Sequence, residues 1–71
     1  MAFKIILANG VFDIYHIGHA LYLEAAKKMG DYLVVAVTRD ACVNKGPHRP
    51  VNRQTDRLRI IESVRYVDQA F

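Results

Sequence analysis

The chain has 71 residues, of which 52% are hydrophobic and 24% charged, with a net charge of +3. That composition excludes disorder and allows one small domain, because a chain of about 60 residues buries only roughly 60% of the surface it exposes when unfolded. A lone cysteine, Cys42, excludes a disulfide framework and a cysteine zinc site, and no apolar run approaches a membrane span.

Phe3 to Ala8 is a short, Ile-rich run closed by Asn9-Gly10, which predicts a strand covered on both faces. From Ile17 to Met29 the spacing turns helical: Ile17, Ala20, Leu21, Ala25, Lys28 and Met29 include the expected three- and four-residue steps, and Gly30 follows as a stop signal. Tyr32 to Thr38 predicts a second buried strand, and Arg39 to Val51, with a glycine and two prolines, a loop. Thr55 or Asn52 is expected to cap a second helix that runs through Leu58, Ile60 and Ile61 to about Ser63 or Val64. Tyr66 to Phe71 reads as a third strand or its approach.

This β-α-β-α-β order predicts an α/β fold, a Rossmann-like parallel sheet with right-handed crossovers and helices laid over it. Ligands in such sheets bind beyond the carboxyl ends of the strands. Asn9–His19 and Arg39–Arg49 both leave strand ends on that side, so the two polar segments are expected to converge. The cations Lys45, Arg49, Arg53, Arg57 and Arg59 follow one another closely, which suits an anionic ligand. They do not form the longer basic stripe of a nucleic-acid groove. The opening MAFKIILANG lacks the cleavage site of a signal peptide, and with the free cysteine this points to the cytoplasm, without membrane or nucleic-acid partners.

The chemistry concentrates in GVFDIYHIGH, residues 10–19. His16 and His19 stand three apart at a predicted helix start, where free N–H groups and the positive helix end favour an anion. Two imidazoles there can donate hydrogen bonds to a phosphate as its charge grows in a transition state. Gly18 between them would permit close approach of backbone to ligand. Plainer readings stand beside these: either histidine as a structural residue, the pair as metal ligands, Asp13 as a helix cap or loop anchor, Gly10 as a turn residue. Cys42 has no adjacent base to make it a nucleophile, and Lys45 and Arg49 read equally as solvated loop charges.

The chain resembles the cytidylyltransferase-like family of the HIGH-type nucleotidyltransferases. A strand, then Gly10, Phe12 and Asp13, then His16, Gly18 and His19 match that family's pattern, followed in order by Leu23, Ala26, Gly30-Asp31, Asp40, Lys45-Gly46, Arg49-Pro50, Arg57 and Val67-Asp68. The loop KGPHRPVN is similar to that of sugar-phosphate members such as the nucleotidyltransferase domain of ADP-heptose synthase. GDYLVVAV and VRYVD are similar to glycerol-3-phosphate cytidylyltransferase, and archaeal FAD synthase is similar in outline. Val11 stands where many relatives carry a small polar residue or cysteine.

The resemblance implies transfer of CMP or AMP from CTP or ATP to a small phosphorylated acceptor, such as glycerol 3-phosphate or a sugar 1-phosphate, with release of pyrophosphate. The acceptor oxygen would attack the α-phosphorus directly. His16, His19, Lys45 and Arg57 would be catalytic, the histidines on the α-phosphate and the two cations on phosphate charge. Asn9, Gly10, Phe12, Asp13, Gly18 and Asp40 would form or support the nucleotide site, and Mg²⁺ would accompany the triphosphate.

Family domains carry later strands, a base-recognition segment and a Ser/Thr-rich triphosphate motif, none of which occurs here. Residues 1–71 are therefore expected to be the truncated N-terminal half of a nucleotidyltransferase domain, with an exposed apolar edge at Tyr66–Phe71. Three readings follow: half of an enzyme that is inactive alone, a nucleotide- or phosphate-binding module without turnover, or a structural unit that assembles with copies of itself or with another chain.

Overall fold

The computed structural model describes residues 2–71. Strand β1 (Ile5–Gly10), helix α1 (Ile17–Lys27), strand β2 (Tyr32–Val37), helix α2 (Gln54–Glu62) and strand β3 (Gln69–Ala70) follow one another, with a single 3-10 turn at Asp40–Cys42 inside the long loop. The sheet order is β1-β2-β3 and both pairings are parallel. This is the predicted α/β, Rossmann-like arrangement. The first strand, however, runs on through Asn9-Gly10, and the third is only two residues long.

Register decides what the sheet buries. Ile6 pairs with Leu33 and Ala8 with Val35, while Val35 also pairs with Ala70. These residues share one face, and on it Leu23 and Ala26 of α1 and Ile61 of α2 close a single core with Ala8, Leu33 and Val35. Burying side chains of this size is worth about 1.5–3 kcal/mol each, and Leu23, Leu33, Val35 and Ile61 are sealed completely.

The opposite face carries Ile5 and Leu7, which remain more than half exposed, as do Phe3 and Phe71. The expected cover on both faces of β1 is therefore absent among the described residues. The cause is topological: strands laid down in consecutive order by crossovers of one hand place every helix on the same side. The expected apolar edge at Tyr66–Phe71 is correspondingly a minor part of a wider open surface centred on β1. Phe71 itself stays tied to β2, donating to the Val35 carbonyl and accepting from the Val37 amide.

One further expectation is corrected, and another gains its reason. Neither Thr55 nor Asn52 caps α2; Arg53 occupies the N-cap and makes no side-chain cap bond, because Asn52 is engaged elsewhere. Gly30 stops α1 for a reason of space. A Cβ there would meet the Lys4 carbonyl at 2.8 Å and Ile6 Cγ1 at 2.7 Å, so the glycine lets the turn after α1 lie against the start of β1. Behind it, Asp68 accepts from the Leu33 amide (2.7 Å) and pairs with Lys27, pinning the approach to β3 onto both β2 and α1. The Leu33 amide first, then Lys27, hold the Asp68 carboxyl below its usual range. No described helix is long and apolar enough to cross a membrane.

Candidate active site

Parallel strands bring the ends of β1 and β2 side by side, and the Thr38 amide and hydroxyl both donate to the Gly10 carbonyl (2.9 and 3.2 Å). The segments that follow converge as expected. Between them lies an open cleft of about 330 Å³ lined by Asp13, Ile14, His16, His19, Lys45 and Arg49.

The two histidines do more at the helix start than stand beside it. His16 is the N-cap of α1. Its Nδ1 accepts from the Gly18 amide at 3.0 Å, and His19 Nδ1 accepts from the His16 amide at 3.1 Å. The His16 carbonyl takes the amides of His19 and Ala20. Amides expected to be free for an anion are thus largely satisfied by the histidines, which present their own groups instead. An Nδ1 that accepts carries no proton, so the proton of each neutral ring sits on Nε2. The helix caps therefore fix the tautomer, and the two rings, with centroids 4.0 Å apart, offer Nε2–H donors within the cleft wall.

Gly18 makes this possible. A Cβ on it would fall 2.8 Å from His16 Cε1, so the glycine leaves room for the imidazole. Phe12 is not a pocket wall. It is buried, at φ 52°, in a region costly for a bulky side chain. Its ring packs over Gly10, where a Cβ would meet Cζ at 2.8 Å. It also meets His19 edge-on at 5.4 Å, while Tyr15 stacks on the same imidazole at 5.6 Å. Phe12 and Gly10 thus buttress His19 from beneath.

Burial first, then His16 and Lys45, lower the His19 pKa from its ordinary value. Folding favours the neutral ring, so this stabilisation is fully present above the unfolded value of about 6.5 and is lost as pH falls below it toward the folded value. Asp13, Asp40 and Asp68 are also lowered, and their contributions disappear only in a more acidic range. We expect the urea midpoint to fall between about pH 7.5 and 5.5, with a clearly smaller fall in a His19→Asn variant. An equal fall in both would remove His19 as the source.

Asp13 is buried and caps no helix. Its carboxylate accepts from the amides of Val51 and Asn52 (both 2.8 Å) and from Arg49 (3.1 Å). The Asn52 amide is the largest cause of its lowered pKa, with Val51, Arg49 and Arg57 adding to it against the cost of burial. Arg57 departs furthest from expectation. It is fully buried, and its guanidinium donates to the carbonyls of Asn52 (3.0 Å), Val11 (2.8 Å) and Thr38 (2.7 Å) and to Asp40 (2.6 Å). Spent in this way, it holds the strand ends together and has no face toward the cleft. The bond from Arg57 is in turn the largest cause of the lowered Asp40 pKa, which makes Asp40 a support for Arg57. Asn9 lies across from Ala36 on the open face of the sheet and does not line the cleft.

Lys45 does line it, and so does Arg49, which the sequence marked as one of the basic cluster and as part of the family pattern without giving it a role in the site. Tyr15 was missed altogether, since a single tyrosine in the loop between β1 and α1 carries no periodic signal. Gly46, at φ 96° with open space around it, sits where only backbone conformation calls for glycine.

The cytidylyltransferase-like family model matches residues 7–71. The chain belongs to that family, one of nucleotidyltransferases. It is 48% identical over 67 residues to the bifunctional protein HldE of Chromohalobacter salexigens, covering 92% of this chain and 14% of that protein. To the FAD synthase of Aciduliprofundum boonei it is 46% identical over 65 residues, covering 92% of this chain and 44% of the relative. Among solved structures, the lipopolysaccharide core biosynthesis protein from Thermoplasma volcanium matches with a TM-score of 0.89 and 40% identity, covering 97% of this chain and 57% of that one. This cytidylyltransferase-like chain therefore spans less than half the length of the curated relatives described here.

Proposed function

We propose that this chain supplies the phosphate-binding wall of a nucleotidyl-transfer site. The reaction is transfer of CMP or AMP from CTP or ATP to a small phosphorylated acceptor, such as glycerol 3-phosphate or a sugar 1-phosphate. An acceptor phosphate oxygen forms a bond to the α-phosphorus, the α–β anhydride bond breaks, and pyrophosphate leaves. The observation that carries this reading is a cleft with two tautomer-fixed Nε2–H donors and two cations, Lys45 and Arg49, along its lining. Phosphoryl-type transfer needs positioning and positive charge more than a nucleophile, and the cleft offers the former. The histidines donate to oxygens of the α-phosphate as charge builds there, and the cations hold the remaining phosphate charge.

Mg²⁺ is the expected companion of the triphosphate, but the cleft does not make a site for it. Asp13 is the only carboxylate in the lining, and both its oxygens are already engaged. Any Mg²⁺ is held by phosphate oxygens and water, and no step above runs through it.

A second reading, a phosphate-binding module that needs a covering segment or a partner chain for turnover, is favoured by the open apolar face of the sheet. One experiment separates the two. Pyrophosphate release and nucleotide binding are measured with CTP and ATP and a panel of phosphorylated acceptors, on the 71-residue chain and on a chimera in which it replaces the matching segment of the Aciduliprofundum FAD synthase. Binding by both, with release by the chimera alone, is the expected outcome. Release by the short chain would overturn the second reading; a chimera that neither binds nor releases would overturn the first.

A further inference from the structure

We infer that Asn52 is a positioning residue that sets where Lys45 and Arg49 stand in the cleft. Residues 44–52 make no backbone–backbone hydrogen bond among the described residues, and the loop passes through left-handed conformations at Gly46 (φ 96°) and His48 (φ 65°). A segment of that kind has no place of its own and takes it from ties at its ends. On one side it leaves the turn at Asp40–Cys42. On the other, the ties converge on Asn52.

Asn52 is held three ways. Its amide donates to Asp13 Oδ1 at 2.8 Å, its side-chain Nδ2 donates to the Asp13 carbonyl, and its own carbonyl accepts from Arg57 Nε at 3.0 Å. It is thus the residue where two buried groups meet. Asp13 gathers Arg49, Val51 and Asn52 from the loop. Arg57 gathers Val11 and Thr38 from the ends of β1 and β2. The side-chain amide is the chemically specific part. It faces a carbonyl, where only a donor is favourable, next to a carboxylate, where a negative charge is not. Asn52 does not line the cleft, so it acts through the loop.

The inference rests on the cleft binding phosphate, and the test keeps the two apart by using tripolyphosphate as the probe, titrated into the 71-residue chain. Asn52→Asp keeps volume and shape, and it is expected to weaken binding about tenfold; Asn52→Ala should do the same, and Asn52→Ser should fall between these and wild type. Urea midpoints restrict comparison to folded variants, and at least Asn52→Ser retains a short donor for that purpose.

The decisive readout is a double-mutant cycle. Lys45→Ala and Arg49→Ala each weaken binding in the wild-type background, whereas in the Asn52→Asp or Asn52→Ser background they add much less, because the cations have already lost their place. A role in overall stability alone would leave the losses multiplicative. Multiplicative losses, or an Asn52→Asp chain that binds as tightly as wild type, would overturn the inference. Failure of the wild-type chain to bind tripolyphosphate would instead count against the phosphate reading itself and remove the basis for this one.

Discussion

Replacing His19 by Ala is expected to lower nucleotidyl transfer in the chimera about 100-fold, a loss of roughly 3 kcal/mol of transition-state stabilisation. The loss should appear mainly in kcat, with KM changing little, because an Nε2–H donor gains most as charge accumulates on the reacting phosphate. His19 also accepts the His16 amide, so the Ala variant loses a helix-start bond, at a cost of about 1 kcal/mol in stability. The two roles separate in His19→Asn, whose side-chain oxygen can restore the acceptor without restoring the imidazole. That variant should recover the urea midpoint more than the rate. An unchanged kcat in His19→Ala would take the histidine out of the mechanism, whatever happened to stability.

The order and type of the elements were legible in the sequence because continuous apolar strands and a three- and four-residue helical rhythm are strong signals, and each long element was found. Which face would be covered was not, since it depends on strand order and crossover hand. Ile5 and Leu7 look no less like core residues than Ile6 and Ala8. The site divides similarly. His16 and His19 were legible from residue type and spacing and Lys45 through the family resemblance, and all three line the cleft. Arg57 and Asp13 were marked by the same pattern, but a sequence does not show where a guanidinium or carboxylate spends its bonds. Arg57 is surrounded by three carbonyls and a carboxylate, and those carbonyls are backbone groups, whose bonds no side-chain motif encodes. Gly10, Phe12 and Gly18 were placed in the right neighbourhood, but their packing was not legible. They crowd against one another and against the histidines and shape the site without lining it.

The burial of Arg57 leads to the other large effect. Arg57→Met keeps much of the side-chain volume but leaves the Val11, Thr38 and Asn52 carbonyls without their donor and Asp40 without its partner. Breaking a buried charge network from one side costs about 3 kcal/mol or more. A domain of this size has a total stability of only about 4–10 kcal/mol, so the variant should lose a large part of it, read as a fall in the urea midpoint followed by circular dichroism. Arg57→Lys should recover little, because one ammonium cannot reach acceptors arranged around a planar fork. Arg49 supplies the contrast. Its side chain is 38% exposed, and Asp13 keeps its two backbone amides when that guanidinium is removed. Arg49→Met should therefore leave the midpoint nearly unchanged while weakening tripolyphosphate binding. An Arg57→Met chain as stable as wild type would mean that the strand ends hold without the guanidinium, and would return Arg57 to the list of residues free to meet a phosphate.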